Sequence, residues 1–294
     1  MHILSQQLNH GSSLVLQTAH ATRDDGSMAL IKIVGGGRGC VLRADGPMAG
    51  IWISLRGRLQ LFNGETESVL VPGDLRVTEP DACTHAVGRG NAIWVALLGG
   101  PKAWRQALVG MMDVPTPEPL LLPARYPASR ALRRRAITLA RSTANGSLNA
   151  AVAAVIDHVV SLQAGLADSI ARCPGRTYAQ RRQVFLRLQR VRNYLAANCH
   201  LELDNDSLAR MASYSPWHFI RAFRAAYQQT PHAYLINQRL QRARQLLRTS
   251  PLAIAEIALA SGFENRCAFS RLFHQRFGIT AGELRRQQRV AGGA

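Results

Sequence analysis

An internal repeat near the C-terminal end constrains the fold of this chain more than any other feature of its sequence. Residues 208–223, LARMASYSPWHFIRAF, match residues 257–273, IALASGFENRCAFSRLF. Each copy reads as a short apolar helix, a turn, and a second helix that carries two phenylalanines four residues apart with an arginine between them. Ser213 in the first turn pairs with Gly262 in the second turn, which is one residue longer. Two copies of this pattern predict two helix-turn-helix motifs in an all-helical region.

The aromatic residues of each copy predict which side of its second helix is buried. Residues four apart lie on one face of a helix, so this stripe is expected to face a core. The predicted core residues are Phe219, Phe223, Phe269 and Phe273. Arg266, Arg271 and Arg276 lie outside the stripe of the second copy. The sequence therefore predicts helices that are held to their domain by aromatic rings and that turn their arginines outward.

Positive charge is concentrated in the C-terminal part of the chain. The 294 residues carry 36 Lys and Arg against 18 Asp and Glu, a formal net charge of +18. Residues 1–119 are neutral, residues 120–175 carry +5, and residues 176–294 carry +13. Such a basic domain predicts a polyanionic partner such as double-stranded DNA. Only two of the basic residues are lysines, and both bidentate recognition chemistry and a GC-rich genome explain that preference.

Cysteine usage and the start of the chain indicate the compartment. The five cysteines are odd in number, widely spaced and without a CxxC pair. This pattern is against a disulfide framework or a zinc site and favours a reducing cytosol. The start, MHILSQQLNHG, has neither a basic n-region nor an apolar h-region. We therefore expect a cytoplasmic protein that is neither secreted nor inserted in a membrane.

Short β-rich runs separated by turn signals occupy residues 28–98. Asn63-Gly64 between two apolar runs is a strong hairpin signal. The pattern predicts a small β-sandwich or barrel. Residues 111–127 contain five prolines, which predicts a semi-rigid connector.

Two helices are predicted after the connector, over residues 128–143 and 147–171. The second carries an apolar stripe at alternating steps of four and three residues, which is the spacing of a coiled-coil seam. The stripe consists of Leu148, Val152, Val155, Val159, Leu162 and Leu166. A homodimer through residues 147–171 and packing of the stripe on the β-domain of the same chain both satisfy this spacing. The arginines of the first helix are expected to form a solvated face.

Three segments of the C-terminal part together resemble the DNA-binding domain of the AraC/XylS family of bacterial transcription regulators. The segments are LARMASYSPWHFIRAF, TPHAYLINQRLQRARQLL and IAEIALASGFENRCAFSRLFHQRFGIT, within about residues 180–288. The resemblance implies two recognition helices at the ends of a rigid linking helix, entering successive major grooves on one face of the duplex. The sequence departs from the family at Ser213 and Gln228, where glycine is usual, and at Ala281, where proline is usual.

Carried over position by position, the resemblance implies a set of residues that contact DNA. These are Trp217, Ile220 and Arg221 in the first copy and Arg266, Cys267, Ser270 and Arg271 in the second. Arg266 and Arg271 suit either guanine O6 and N7 or the phosphate backbone, and Trp217 suits either base reading or packing. Ile220 offers only an apolar contact, for example with a thymine methyl group. Cys267 suits either a small groove-facing position or a redox sensor.

The N-terminal half has a weaker resemblance, to the cupin-like barrel that many family members use for effector sensing or dimerisation. GRLQLF, LVPGDLRV and His85 carry this resemblance. It implies either a bound small-molecule effector, whose contact residues are unknown, or a purely dimerising role. His85 has no HxH pair beside it, so no metal site and no cofactor are predicted. Contact with RNA polymerase, and activation through it, is implied by the family alone.

The predicted fold is α+β and multidomain. We expect residues 1–110 to form the cupin-like β-barrel, residues 111–175 the connector and linker helices, and residues 176–294 the all-α domain with two helix-turn-helix motifs. The expected function is sequence-specific regulation of transcription. An enzyme is not expected, because the sequence shows no metal or nucleophile constellation. An architectural nucleic-acid binder that depends on charge alone is the alternative, and it would show little preference among sequences.

Overall fold

The computed structural model describes residues 2–17, 19, 26–63, 66–79, 83–109, 121–126, 129–143 and 145–291. The chain divides into two compact units, Met1–Asp168 and Ser169–Ala294. Most of the connector predicted over residues 111–127 lies outside the described residues. Near its end, Ala124–Tyr126 form a short strand of the first unit.

The first unit is built on a nine-stranded mixed sheet. The strands are β1 (Ile3–Leu8), β2 (Ser13–Gln17), β3 (Leu30–Gly36), β4 (Val41–Asp45), β5 (Ala49–Asn63), β6 (Thr66–Leu70), β7 (Leu75–Thr78), β8 (His85–Gly99) and β9 (Ala124–Tyr126). Their order is β1-β3-β8-β5-β7-β9, while β4 joins β2 to β8 and β6 pairs with β5. The pairs β1–β3 and β2–β4 are parallel, and the other pairs are antiparallel.

The two 15-residue strands β5 and β8 pair along most of their length, with an irregularity of two consecutive register shifts between Ser54 and Arg58 of β5. Gly57 lies at this irregularity with φ +66°, and a Cβ there would lie 2.8 Å from the backbone of Ala92. Trp52 and Leu59 lie on either side of it and face the same buried core, which also contains Trp94. Residues seven apart face opposite sides of a regular strand. The register shift therefore turns both halves of β5 toward one core.

The strand pairing predicted around Asn63-Gly64 is confirmed, because β5 pairs with β6 and Asn63 opposes Thr66; Gly64 itself lies outside the described residues. The closed cupin-like barrel is not confirmed. Among the described residues the path of paired strands runs from β1 to β9 without closing. At one end β1 lies parallel to β3, and at the other end β9 has only three residues. Neither end continues the long antiparallel ladder that closure of this sheet would need.

Three helices cover the other face of the sheet: α1 (Pro101–Val109), α2 (Arg130–Arg141) and α3 (Asn145–Ala171). Ile51 of β5 shares a core with Leu132 of α2 and Val152 of α3. The buried side chain of Lys32 on β3 donates a hydrogen bond of 2.5 Å to the carbonyl oxygen of Ser142. This bond ties the C-terminal end of α2 to the sheet, since the last carbonyls of a helix lack partners within it.

The N-terminal half of the apolar stripe on α3 is buried in the core of the first unit. Leu148, Val152, Val155 and Val159 are at most 2% exposed and pack in the core under the helices. Packing within the same chain is therefore confirmed for these four residues, and the predicted homodimer seam is wrong there. A helix on a sheet and a coiled coil require the same spacing of apolar residues, so the spacing alone did not separate them.

Burial accounts for part of the apolar composition of α3. Among the described residues, Gly146–Ala171 is a helix long and apolar enough to cross a membrane by length and composition alone. Its apolar side includes the four residues that pack under the sheet. A core helix of a soluble domain has the same composition, so this segment is weak evidence for a membrane span.

The second unit is all-helical. Its helices are α4 (Tyr178–Ala197), α5 (Asn205–Met211), α6 (Pro216–Tyr227), α7 (Pro231–Thr249), α8 (Ile254–Ala260), α9 (Arg266–Phe277) and α10 (Ala281–Ala291). The two predicted helix-turn-helix motifs are α5–α6 and α8–α9. Four residues separate the first pair and five the second, so the predicted difference in turn length is confirmed.

The repeat is longer than the two motifs, because it also includes the helix before each of them. RLQRVRNYL in α4 (residues 187–195) matches RLQRARQLL in α7 (residues 239–247). The matched apolar residues Leu188, Val191, Leu195, Leu240, Ala243 and Leu247 are all buried. Arg192 of α4 lies over the ring of Tyr227, and Arg244 of α7 lies over that of Phe277, each at 5.0 Å. Each copy is therefore a three-helix unit, α4–α6 or α7–α9.

Two turns of the first copy use a backbone conformation that favours glycine. Ser213 and Gln228 both have φ +57°, whereas the matching positions of the second copy are Gly262 at +89° and Gly278 at +72°. For a residue with a Cβ, the left-handed conformation costs about 1–2 kcal/mol. The two departures from the family pattern therefore add strain to the first copy.

Replacing the two strained residues with glycine is expected to stabilise the protein. Ser213→Gly and Gln228→Gly should each raise the free energy of unfolding by about 0.5–1 kcal/mol, because the relief of strain exceeds the extra entropy of an unfolded glycine. Urea unfolding followed by circular dichroism measures this change. A loss of stability would show that the native side chain makes a contact that outweighs its strain.

The opposite change in the second copy is the matched control. A Cβ at Gly278 would meet no atom within 4 Å, whereas a Cβ at Gly262 would lie 2.9 Å from the carbonyl oxygen of Cys199. Gly278→Ala should cost about 0.5–1 kcal/mol, which is the strain less the entropy that alanine removes from the unfolded chain. Gly262→Ala should cost more, because it adds a collision to the same strain.

Candidate nucleic-acid interface

The second helix of each motif starts and ends at well-defined positions. Helix α6 has Pro216 at its first position, where the missing N–H costs nothing. Helix α9 is capped by Asn265, whose side-chain oxygen accepts hydrogen bonds from the backbone N–H groups of Cys267 (2.8 Å) and Ala268 (3.0 Å). Both helices end in a left-handed residue, Gln228 or Gly278. These ends fix two helices of 12 residues each.

The inner faces of α6 and α9 are the predicted aromatic stripes. Phe219, Phe223, Phe269 and Phe273 are all 0% exposed, so their assignment to the core is confirmed. The rings contact each other within each helix, at 5.7 Å between Phe219 and Phe223 and 5.4 Å between Phe269 and Phe273. Burial of both rings fixes the rotation of each helix about its axis, which decides the side chains that face outward.

The residues predicted to contact DNA lie on the outer faces. Trp217 is 60% exposed. Arg221, Arg266, Cys267, Ser270 and Arg271 are also exposed, and Ile220 is half-buried. The structure places three of the predicted residues together in the first half of α6 and the other four together in the first half of α9. Their contacts with bases stay a prediction.

Contacts among side chains organise the start of α6. The guanidinium group of Arg221 lies 4.3 Å from the centre of the Trp217 ring, within the range of a cation–π interaction. The Trp217 ring in turn meets the edge of His218 at 5.1 Å. The Ser215 hydroxyl lies 2.7 Å from Nδ1 of His218. The exposed indole of Trp217 therefore has a partner in its own helix. This contact holds the guanidinium group of Arg221 on the outer face of α6.

Helix α7 links the two motifs and is bound to both copies. Its 19 residues span about 28 Å, close to the major-groove repeat of about 34 Å. Arg239 donates hydrogen bonds to the carbonyl oxygens of Cys199 (2.7 Å) and Leu201 (2.9 Å), just after α4. Arg242 donates one of 2.9 Å to the carbonyl oxygen of Ala260, at the end of α8. The sequence analysis did not identify these two arginines, although both lie in the segment of α7 that matches α4.

Arginines far outnumber acidic residues in the second unit. Residues 176–294 contain nineteen arginines and six acidic residues. The two ion pairs seen among the described residues, Arg43–Asp45 and Arg125–Asp74, both lie in the first unit. This surplus of thirteen positive charges gives residues 176–294 a strong positive potential for a polyanion.

Several acidic residues of the second unit serve as helix caps instead. Asp204 accepts a hydrogen bond from the backbone N–H of Ser207, and this bond holds the pKa of its carboxyl group below the usual value. Glu256 accepts one from the N–H of Ala253 at the start of α8. Glu283 accepts one from the N–H of Thr280 before α10, which likewise lowers its pKa. These carboxylates satisfy backbone N–H groups at helix N-termini.

The titratable sulfur and histidine side chains form no metal site in the described part of the chain. No group of three His, Cys, Asp or Glu side chains there is close enough to hold a metal ion. All five cysteines are free. Burial raises the pKa of the Cys173 thiol to about 11 and also raises that of Cys199, so both stay protonated at neutral pH.

Comparison with known proteins places the second unit in a family. A family model described as a helix-turn-helix domain matches residues 208–287. The regulatory protein SoxS of Escherichia coli strain K12 is 35% identical over 83 residues, which are 28% of this chain and 78% of SoxS. The chain belongs to the AraC/XylS family. The HTH-type transcriptional regulator GlxA of Rhizobium meliloti strain 1021 is 43% identical over 86 residues, 29% of this chain and 26% of GlxA.

The similarity to AraC/XylS relatives covers a part of each protein. The DNA-binding domain of AdpA in complex with a target DNA is 30% identical, over 36% of this chain and 95% of that chain, with a TM-score of 0.34. The chain spans 26% of GlxA and 36% of the MmsAB operon regulatory protein of Pseudomonas aeruginosa. These relatives are named as regulators, in agreement with the prediction that the chain is not an enzyme.

The aromatic stripe predicts a test that separates folding from recognition in this AraC/XylS domain. Phe273→Ala should cost about 3–5 kcal/mol of unfolding free energy, because it leaves a cavity in the core. Arg271→Ala, an exposed change in the same helix, should stay within about 0.5 kcal/mol. Thermal unfolding of the two variants measures both. Equal melting behaviour would show that Phe273 does not hold α9 in place.

Proposed function

We propose that the chain is a sequence-specific DNA-binding regulator of transcription, which reads two successive major grooves with α6 and α9. The observation that carries this proposal is the pair of exposed helix faces, each fixed by buried phenylalanines and joined by α7. Because α7 is bound to both copies by Arg239 and Arg242, the two reading helices keep a fixed separation. A fixed separation favours sites with two half-elements about one helical turn apart.

The two helices offer different chemistry to the bases. Helix α9 presents Arg266, Arg271 and Ser270, and arginine pairs with O6 and N7 of guanine through two hydrogen bonds. Helix α6 presents Ile220, which suits a thymine methyl group, and Arg221 backed by the Trp217 ring. We therefore expect the half-element read by α9 to carry most of the hydrogen-bonded readout.

We further propose that the first unit binds a small polar effector. Ser54 and Trp94 face each other on β5 and β8 and are 0% exposed. The Ser54 hydroxyl and the indole N–H of Trp94 have no hydrogen-bond partner. A buried polar group without a partner costs about 1–3 kcal/mol, and a ligand with hydrogen-bonding groups would remove that cost. Arg76, on β7 opposite Trp52, is nearly buried and offers a charge to an anionic ligand.

The remaining parts of the proposal follow from the family. Regulation by activation through RNA polymerase, and a cytoplasmic location, are inferred from membership in the AraC/XylS family and not from a contact in the structure. A purely architectural role is the alternative. Selection of genomic DNA fragments distinguishes the architectural role from sequence-specific regulation.

Selection of genomic fragments by the purified full-length protein, at about 0.15 M salt, tests the proposed function. We expect one motif with two half-elements about a helical turn apart to be enriched. Uniform recovery of fragments would favour the architectural role. Repeating the selection in the presence of candidate polar metabolites tests whether an effector is required for selective binding to DNA.

Arg266→Ala tests base reading on the selected site. The change should weaken binding by about 1–3 kcal/mol and relax the preference at one base position if the guanidinium group reads a base. Arg276→Ala, an exposed arginine at the other end of α9, is the matched control and should leave the preference unchanged. Equal losses on specific and random duplexes would assign Arg266 to the phosphate backbone.

Two buried tryptophans provide a matched test of the effector proposal. The indole N–H of Trp52 donates to the Thr78 hydroxyl at 3.1 Å, whereas that of Trp94 is unpartnered. In the ligand-free protein, Trp94→Phe should therefore cost less stability than Trp52→Phe, by about 1 kcal/mol or more. Thermal unfolding measures the difference. Equal losses would indicate that the Trp94 N–H is already satisfied and has nothing to offer a ligand.

A further inference from the structure

Helix α2 of the first unit carries a row of exposed arginines that the recognition of bases does not use. The members of this row are Arg130, Arg133, Arg134 and Arg141, and all four are exposed. With 3.6 residues per turn, the four lie within an arc of about 100° around the helix axis. We call this row the α2 basic face.

The other side of α2 fixes the direction in which this face points. Leu132, Ala136 and Leu139 are 0% exposed and pack in the core of the first unit. Arg135 also turns inward, and its guanidinium group donates to Nδ1 of His158 at 2.8 Å. Burial and the charge of Arg135 lower the pKa of His158, so this histidine accepts the bond as a neutral ring. Helix α2 therefore cannot rotate its basic face out of the solvent.

The charge of the α2 basic face is not neutralised within the described residues. The helix contains no Asp or Glu, and neither of the ion pairs seen in the first unit involves it. Its N-terminus is capped by Ser129, whose hydroxyl accepts from the N–H of Leu132, and the helix dipole adds positive potential at that end. By contrast, residues 1–119 are neutral overall. The first unit therefore concentrates its positive charge on one helix.

We propose that the α2 basic face binds the phosphate backbone of DNA that flanks the site read by α6 and α9. This inference rests on the proposed function, because the second unit would bring flanking DNA to the first unit at a high effective concentration. From Arg130 to Arg141 the face is about 17 Å long, which corresponds to about five phosphates along one strand of the duplex. The contact carries no sequence preference and adds affinity on long DNA.

Salt-dependent binding to duplexes of two lengths tests the proposal in the full-length protein. The variant R130Q/R133Q/R134Q/R141Q removes the face, and R38Q/R56Q/R58Q/R105Q removes the same charge from exposed positions elsewhere in the first unit. One duplex holds only the selected site, in about 20 bp, and the other adds about 20 bp of flanking DNA on each side. Each fully engaged phosphate contributes about 0.9 to the slope of log affinity against log salt.

The expected result is specific to the α2 variant and to the long duplex. For the α2 variant on the long duplex, the slope of log affinity against log salt should be shallower than that of the wild type by about 3.6. The ratio of wild-type to variant affinity should therefore shrink about 150-fold between about 0.05 and 0.2 M salt. On the short duplex the two variants should bind alike. An unchanged slope on the long duplex would overturn the proposal, as would equal losses for the two variants.

A long duplex of random sequence separates this inference from the proposed function. If the wild type prefers no site, with or without the candidate effectors, the proposed function fails, while the salt slope on random DNA still reports whether the α2 basic face binds phosphates. If the wild type prefers a site and the α2 variant keeps its full slope, only the inference about α2 fails. Thermal unfolding of both variants confirms that exposed Arg→Gln changes leave the fold intact.

Discussion

The burial of phenylalanine pairs in α6 and α9 is the interaction on which the rest of the second unit depends. Two fully buried rings per helix fix its rotation and leave a single direction for the side chains between them. This explains why arginine and phenylalanine can alternate along one short helix without conflict. The same rings are 0% exposed and belong to the apolar surface that holds each helix on its three-helix unit.

The distribution of carboxylates complements this arrangement. A basic domain normally loses part of its field to internal ion pairs, but here Asp204, Glu256 and Glu283 are engaged by backbone N–H groups at helix starts. Each such carboxylate stabilises a helix end. The second unit therefore uses these few acidic residues to cap helices, and its surplus of arginines maintains a strong positive potential.

The sequence predicted the second unit well because its signals are local. Phenylalanine spacing and turn residues are read within about 20 residues, and so is each single copy of the repeat; each of these signals determines a helix or a turn. The match between α4 and α7 is harder to recognise in the sequence, because its offset is 52 residues, whereas the motifs are offset by 49 and 50 residues. The longer loop between α4 and α5 accounts for the difference.

The first unit was harder to predict because its decisive features involve distant parts of the chain. The irregularity in β5 depends on a close approach of Gly57 to Ala92, which no short pattern reveals. The stripe on α3 was compatible with a second copy or with the sheet, and the choice was settled by the core that Ile51 and Val95 provide. The outward positions on α6 and α9 followed from periodicity, but the pairing of Trp217 with Arg221 required the side-chain geometry.

Helix α7 belongs to both halves of the second unit, as the first helix of one copy and as the support of the other. Two modules that share a structural element cannot open independently, because the loss of one removes a packing surface from its neighbour. The second unit therefore behaves as one cooperative unit in unfolding, although its sequence is a duplication. Any contact that stabilises α9 therefore also protects α6 from local opening.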